Sequence, residues 1–351
     1  MRWYVLGRGS VGCLWASHLA KVGHPVTLLV RPGGADGATR GTLSVEEAWA
    51  GSDGRRWQQK VEIEEAGAAG NAPIERLLVA TKSQDVATGV ASLASRLSDR
   101  CSIVLLQNGM GAADDVMALE AMQERATPPL LFVGSTTQGS FVRGAYDIVH
   151  AGNGVTWLGV HQATMAAAKA RGGEQAEAEV SAEFEAACTS LSATALGEII
   201  RESPAAMEGR LWGKLAINCA ANPLTALLRC RNGEVIATEH GRAVIRPLCE
   251  EVANVMSAAG LRTMRGDTEG DVGELAIDLE GFVIEALERN AANYSSMCQD
   301  IDGGRPTEIE YINGAVVRAA EQLGVEVPCN RMLLNQIRMR EMLDEDGVPR
   351  G

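Results

Sequence analysis

The chain opens with WYVLGRGSVGCLWASHLAK at residues 3–21, and the reading of this stretch decides the fold. Residues 3–6 are a short apolar strand that runs straight into Gly7-Arg8-Gly9-Ser10-Val11-Gly12, and a helical pattern follows to about Lys21. That is G-x-G-x-x-G between a strand and a helix, the setting that gives the motif its meaning. The glycines allow a tight turn and a close backbone approach, while the helix N-terminus turns its N–H groups toward a pyrophosphate. The residues imply a dinucleotide site at Gly7, Arg8, Gly9, Ser10, Val11 and Gly12.

Working outward, residues 25–30 form the second strand, which ends in Arg31-Pro32. Chains that prefer NAD carry an acid near this strand tip, roughly 20 residues past the first glycine, to bind the ribose 2'-hydroxyl. Here the tip is apolar and the next polar residue is Arg31, whose guanidinium fits a 2'-phosphate, so NADPH is expected over NADH. A solvated surface arginine is the other reading of the same residue. Residues 33–72 are rich in glycine and charge, with strand-like pieces near 42–45 and 60–63, and read as a connection or small insert. The strand at 77–80 delivers Thr81-Lys82-Ser83 to the edge where ligands bind in such sheets, and Lys82 can supplement Arg31 at the phosphate.

A helix at 85–97 leads to a strand at 102–106 that ends in Gln107-Asn108-Gly109-Met110-Gly111. Asn108-Gly109 is either a plain turn or an amide presented to a ligand. Strands at 130–136 and 146–150, a hairpin through 152–159, a helix at 163–191 interrupted at Gly172-Gly173, and a strand within 193–200 complete the alternation. That order predicts an α/β fold, an N-terminal Rossmann-type doubly wound sheet. Beyond about Ser203 strand signals nearly vanish, so the expected domains are 1–203, binding the dinucleotide, and 204–351, all-helical.

The second half carries its chemistry in LWGKLAINCAAN, residues 211–222. Lys214, Asn218 and Asn222 are spaced i, i+4, i+8, which at ~100° per residue lines one face of an otherwise apolar helix. Burying such groups without partners costs several kcal/mol, so the stripe faces a polar ligand or a structural polar network. Pro223 predicts a kink or break at Asn222. Helices are expected at 246–259 and 275–298, the second putting Asn293 and Ser296 on one face. Thr307-Glu308-Ile309-Glu310 opens a further helix as an N-cap followed by acids, with Glu308 also placed to pair with a buried lysine.

The formal charge of -13 argues against nucleic-acid or anionic-membrane partners, which call for clustered basic residues. Eight cysteines without a CxxC pair suit reduced, buried thiols in a cytoplasmic protein and no metal site. The early first strand leaves no room for a signal peptide, and no apolar run approaches membrane-spanning length. Only five of the 32 basic residues are lysines (21, 60, 82, 169, 214), so a retained lysine can mark a place where a proton must be given away; codon bias explains the arginine excess equally well.

Together GRGSVG, Arg31, Lys82, QNGMG, HAGNG at 150–154, LWGKLAINCAANPLTAL, NYSSMCQDI at 293–301 and PTEIEYING resemble the ketopantoate reductase family over nearly the whole chain. The resemblance implies a Rossmann domain, a helical domain and an active site in the cleft between them, reducing 2-dehydropantoate with NADPH. It makes Lys214 the catalytic lysine and Glu308 its acidic partner. Asn218, Asn222, Asn293 and Ser296 become substrate-binding residues, Asn108 the amide beside nicotinamide and substrate, and Arg31 with Lys82 the 2'-phosphate binders. A small keto acid is the expected partner, with a homodimer left open. Reduction of another 2-keto acid or an imine on the same fold is the first alternative, and a silent NADPH-binding regulator the second.

Overall fold

The computed structural model describes residues 1–34, 39–49, 52–67, 72–264 and 270–343. Two compact units emerge: residues 1–107 with 112–207, and residues 108–111 with 208–351.

The first unit is built on one mixed sheet. Its strands are β1 (Trp3–Leu6), β2 (Val26–Val30), β3 (Arg40–Glu47), β4 (Arg56–Glu65), β5 (Ile74–Val79), β6 (Leu97–Leu105), β7 (Leu130–Thr136), β8 (Gly139–Gly144), β9 (Asp147–Gly152), β10 (Val155–Val160) and β11 (Glu198–Glu202). They lie in the order β11-β10-β7-β6-β5-β1-β2-β4-β3-β9-β8. The stretch β4-β2-β1-β5-β6-β7 is parallel throughout, which is the 3-2-1-4-5-6 order of a dinucleotide-binding sheet. The order of strands reverses at β1, with β2 and β4 to one side and β5, β6 and β7 to the other, so a switch point opens between the C-terminal ends of β1 and β5. Every residue of β1 and β2 is buried, as expected of strands covered on both faces.

Helices α1 (Ser10–Lys21), α2 (Ser83–Ala91), α3 (Ala112–Ala118), α4 (Glu120–Gln123) and α5 (Gln162–Ser192) complete this unit. Gly172 and Gly173 leave helical geometry inside α5, the interruption expected from that pair. The two strand-like pieces of the 33–72 stretch are β3 and β4, full members of the sheet. Residues 35–38, 50–51 and 68–71 of that stretch lie outside the described residues. β3 pairs antiparallel with β4 and parallel with β9, so here a strand connection stands where a crossover helix is usual.

The remaining helices are α6 (Pro204–Leu228), α7 (Asn232–Ile236), α8 (Glu239–Ala258), α9 (Val272–Arg289), α10 (Ser296–Asp302), α11 (Asn313–Leu323) and α12 (Pro328–Met342). All but the first turn of α6 belongs to the second unit, whose core gathers Cys219, Leu248, Val252, Leu279, Val283, Val316 and Ile337. Three expectations are corrected here. α6 is not broken at Asn222, because the Cys219 carbonyl, which loses its α-helical donor at Pro223, accepts from Asn313 Nδ2 at 3.1 Å. The helix foreseen over 275–298 is two helices. Asn290 bonds back to the Ala286 carbonyl, and Ser295 caps α10 by accepting from Cys298 N, so polar capping overrides the apolar continuity. Residues 307–310 lead into a single 3-10 turn, Ile309–Tyr311, ahead of α11, although Thr307 Oγ1 does accept from Ile309 N.

Candidate active-site residues

The glycine-rich turn sits at the switch point of the first unit. Gly7 has φ +114, and a Cβ there would meet the Ala80 carbonyl carbon and oxygen at 2.9 Å. A Cβ on Gly12 would lie 2.1 Å from the Gly7 oxygen, so both positions admit only glycine. Gly9 is the N-cap of α1 and supplies no side-chain cap, so the first N–H groups are left for an anion. Arg8 Nη1 donates to Gly34 O, and Ser10 Oγ donates to Ser140 O, fixing the turn on both sides. These features fit a dinucleotide pyrophosphate.

Arg31 follows β2 directly and is exposed, while Lys82 caps α2 and is half-buried. Glu65 ends β4 opposite Val30, and its Oε1 accepts from Gly33 N at 2.9 Å. No local pattern in the sequence marks this acid, because β4 lies inside the glycine- and charge-rich stretch that reads as a connection. Only strand register could have brought it to the β2 tip.

In the second unit, Lys214 sits midway along α6. Burial pushes its ammonium down to about 8 from an ordinary 10.5, and the Glu308 carboxylate opposes that fall. Asn108 Nδ2 donates to Glu308 Oε2 at 3.4 Å. The 108–111 turn is held on the Glu308 segment, since Met110 N donates to Tyr311 O at 2.8 Å. Gly109 makes this approach feasible: its φ is +78 and a Cβ would lie 2.1 Å from Tyr311 O. The structure therefore brings Asn108, Glu308 and Lys214 into one group, although Asn108 and Glu308 are 200 positions apart.

Asn218 and Asn222 continue the face of α6 that carries Lys214. Asn218 Nδ2 is buried with no hydrogen-bond partner among the described residues. A native structure rarely leaves such a donor unsatisfied unless a ligand or water completes it. Asn222 is buried, at 6% exposure, and its carbonyl accepts from Thr225 Oγ1. Thr225 Oγ1 also lies 2.7 Å from Ser295 Oγ, tying the end of α6 to the segment that bears Asn293 and Ser296. Those two residues are exposed and do not share a helix face, since Asn293 precedes the α10 cap and Ser296 is the first helical residue. Thr225 and Ser295 were not singled out from the sequence. The pairing of a β-hydroxyl two residues past Pro223 with an N-cap serine is visible only in space.

All eight cysteines are free, and among the described residues no cluster of three or more His, Cys, Asp or Glu side chains could hold a metal ion. Nor is any described helix long and apolar enough to cross a membrane.

Comparison with known proteins decides the family. A profile described as Ketopantoate reductase PanE/ApbA matches residues 3–163, and its C-terminal counterpart matches 206–341. The 2-dehydropantoate 2-reductase of Shigella flexneri is 32% identical over 358 aligned positions, covering 100% of this chain and 99% of that protein. The chain belongs to the ketopantoate reductase family. The PanE/ApbA family ketopantoate reductase from Ralstonia eutropha JMP134 superposes with a TM-score of 0.74 at 24% identity, over 97% of this chain and 98% of the other. A ternary structure of D-mandelate dehydrogenase with NADH and anilino(oxo)acetate superposes at 0.75 and 20% identity, with the same coverage. At those identities the two structures speak for the shared fold.

Proposed function

We propose that this ketopantoate reductase family member reduces the C2 ketone of 2-dehydropantoate to the alcohol of pantoate, with NADPH as the reductant. The observation that carries the reading is the Lys214 ammonium, lowered to about 8 beside Glu308, with Asn108 attached to the same carboxylate.

A bound nicotinamide cofactor supplies the hydride. As it reaches C2, the carbonyl π pair moves to oxygen, and a proton must arrive there. Lys214 stabilises the growing oxyanion and donates that proton, a task for which a pKa near the working pH is suited and which arginine cannot perform. Glu308 retains the ammonium in position and favours its charged form. Asn108, hydrogen-bonded to Glu308, holds its own amide at the same group. The unpartnered Nδ2 of Asn218 is a donor available to a substrate oxygen, with Asn222 one turn further along. Asn293 and Ser296 bind the hydroxyl and carboxylate ends. Arg31 and Lys82 bind the 2'-phosphate that separates NADPH from NADH.

Steady-state kinetics test the assignment. Lys214→Ala should lose roughly 100-fold or more in kcat if the lysine is the general acid, and a near-normal kcat would reject it. A panel of keto acids assayed by NADPH oxidation separates this substrate from its rivals: turnover restricted to pyruvate-type or aromatic 2-keto acids would move the chain to a different reductase of the same fold.

A further inference from the structure

α6 carries a proline at a place where its polar stripe has to stay straight. Pro223 has no N–H, so the Cys219 carbonyl lacks its i+4 donor. That carbonyl belongs to a fully buried residue, where an unmet acceptor costs about 1–3 kcal/mol. Asn313 Nδ2 takes the vacant place at 3.1 Å. Asn313 is itself fully buried, and its Nδ2 also donates to Asn330 Oδ1 at 3.0 Å.

The direction of these bonds is fixed by a buried carboxylate. Glu251 Oε2 accepts from both Asn330 Nδ2, at 2.8 Å, and Asn330 N, at 2.9 Å, while Oε1 accepts from Cys329 N at 2.7 Å. With its Nδ2 committed to Glu251, Asn330 must turn Oδ1 toward Asn313. Asn313 must then offer its NH2 group, and the same group reaches Cys219. A flipped Asn313 amide would set two acceptor oxygens against each other at both contacts, so the chain from Glu251 to α6 has one consistent orientation. Its Oδ1 remains unpartnered among the described residues, a cost accepted to keep that orientation.

Sequence spacing shows what the bond holds. Cys219 lies five residues after Lys214 on α6, and Asn313 lies five residues after Glu308, at the first position of α11. The hydrogen bond thus joins the helix that carries the ammonium to the first residue of α11, one 3-10 turn downstream of the carboxylate. We propose that Asn313 is a positioning residue, which sets Lys214 against Glu308 by donating to the carbonyl that Pro223 leaves free. Glu251 and Asn330 orient it. The inference rests on the catalytic reading of Lys214 given above.

The test uses Pro223→Ala, which restores an N–H for the Cys219 carbonyl without restoring any tie to α11. Asn313→Ala is compared with wild type, and the Asn313→Ala/Pro223→Ala pair with Pro223→Ala alone. In the single variant both thermal stability and kcat should fall, kcat by roughly 10- to 100-fold as expected for a misplacement of about 1 Å. In the Pro223→Ala background the Cys219 carbonyl is satisfied throughout and only the Asn330 Oδ1 contact is lost, so loss of Asn313 should lower the melting temperature less than in the single variant yet still lower kcat by at least about tenfold. If the single variant does not fold, this second comparison carries the test. Recovery of kcat together with stability would overturn the proposal, leaving Asn313 as a mere carbonyl partner, and so would a kcat step within about twofold. With only five lysines in the chain, 13Cε-lysine spectra give a readout that needs no turnover. The Lys214 resonance should move in both Asn313 variants, and an unmoved resonance refutes the positioning role. If the wild-type protein reduces no keto acid, the functional reading fails while this resonance still tests the inference.

Discussion

Glu308→Gln asks whether the Lys214 ammonium is the proton donor. The substitution keeps the side chain's shape and an acceptor for Asn108, but removes the charge that opposes the fall of the Lys214 pKa to about 8. Lys214 must then titrate lower still. Reduction consumes a proton, so the rate follows the protonated fraction, present below the pKa and lost as pH rises through it. Each further unit of lowering is worth about 1.4 kcal/mol, and a fall of about one unit would cut the rate roughly fivefold at pH 8 and almost nothing near pH 6. Lost orientation adds a decrease in kcat that is the same at every pH. Measured as kcat against pH with saturating ketopantoate and NADPH, the wild-type profile should descend near pH 8, and the variant's descent should begin at lower pH. A wild-type rate that is flat through this range, or a variant limb that stays put or moves upward, refutes the proton-donor argument.

Other expectations follow from single side chains. Arg31→Ala should raise KM for NADPH far more than for NADH, and equal effects would remove the 2'-phosphate assignment. Gly109→Ala forces a Cβ to within 2.1 Å of Tyr311 O at a φ of +78, so the Asn108 turn must lift from Glu308. Its kcat should drop roughly 10- to 100-fold with little change in KM for the cofactor, and an unchanged kcat would show that the turn's placement is irrelevant. Burial holds His18 down to about 4 from 6.5, so on acidification the unfolded chain takes up this proton first. Stability is then lost between about pH 6.5 and pH 4, by roughly 3 kcal/mol. His18→Gln should flatten that part of the dependence in urea titrations, and an unaltered slope would contradict it.

What could be read from the chain was what lies close together along it. The turn from Gly7 to Gly12 is a local motif between two local elements, and Lys214, Asn218 and Asn222 share a helix face because their spacing dictates it. β3 and β4 were visible as strand-like pieces but not as sheet members, because their partners are set by register with distant β2 and β9. The break between α9 and α10 was missed because the apolar pattern continues across it, while the capping bonds of Asn290 and Ser295 that end and restart the helix have no periodicity. The expected break at Pro223 failed for a similar reason. Proline's effect on its own helix is a sequence rule, but the donor that compensates for it comes from 94 positions away.

The arginine excess bears on the same point. Lys21, Lys60 and Lys169 are exposed, and the two lysines that are not are Lys82 and Lys214. Exposure makes lysine and arginine nearly interchangeable, so the three surface lysines are consistent with chance retention in an arginine-rich chain. At Lys214 the exchange would not be neutral. Displacement of its pKa from 10.5 to about 8 corresponds to roughly 3 kcal/mol of unfavourable charge burial. A guanidinium there would stay charged and could not release a proton at any working pH. On the role proposed for Lys214, a destabilised ammonium on a largely apolar helix has a use, because a lysine whose pKa lies near the working pH can give its proton to the developing alkoxide and recover it from water in each cycle.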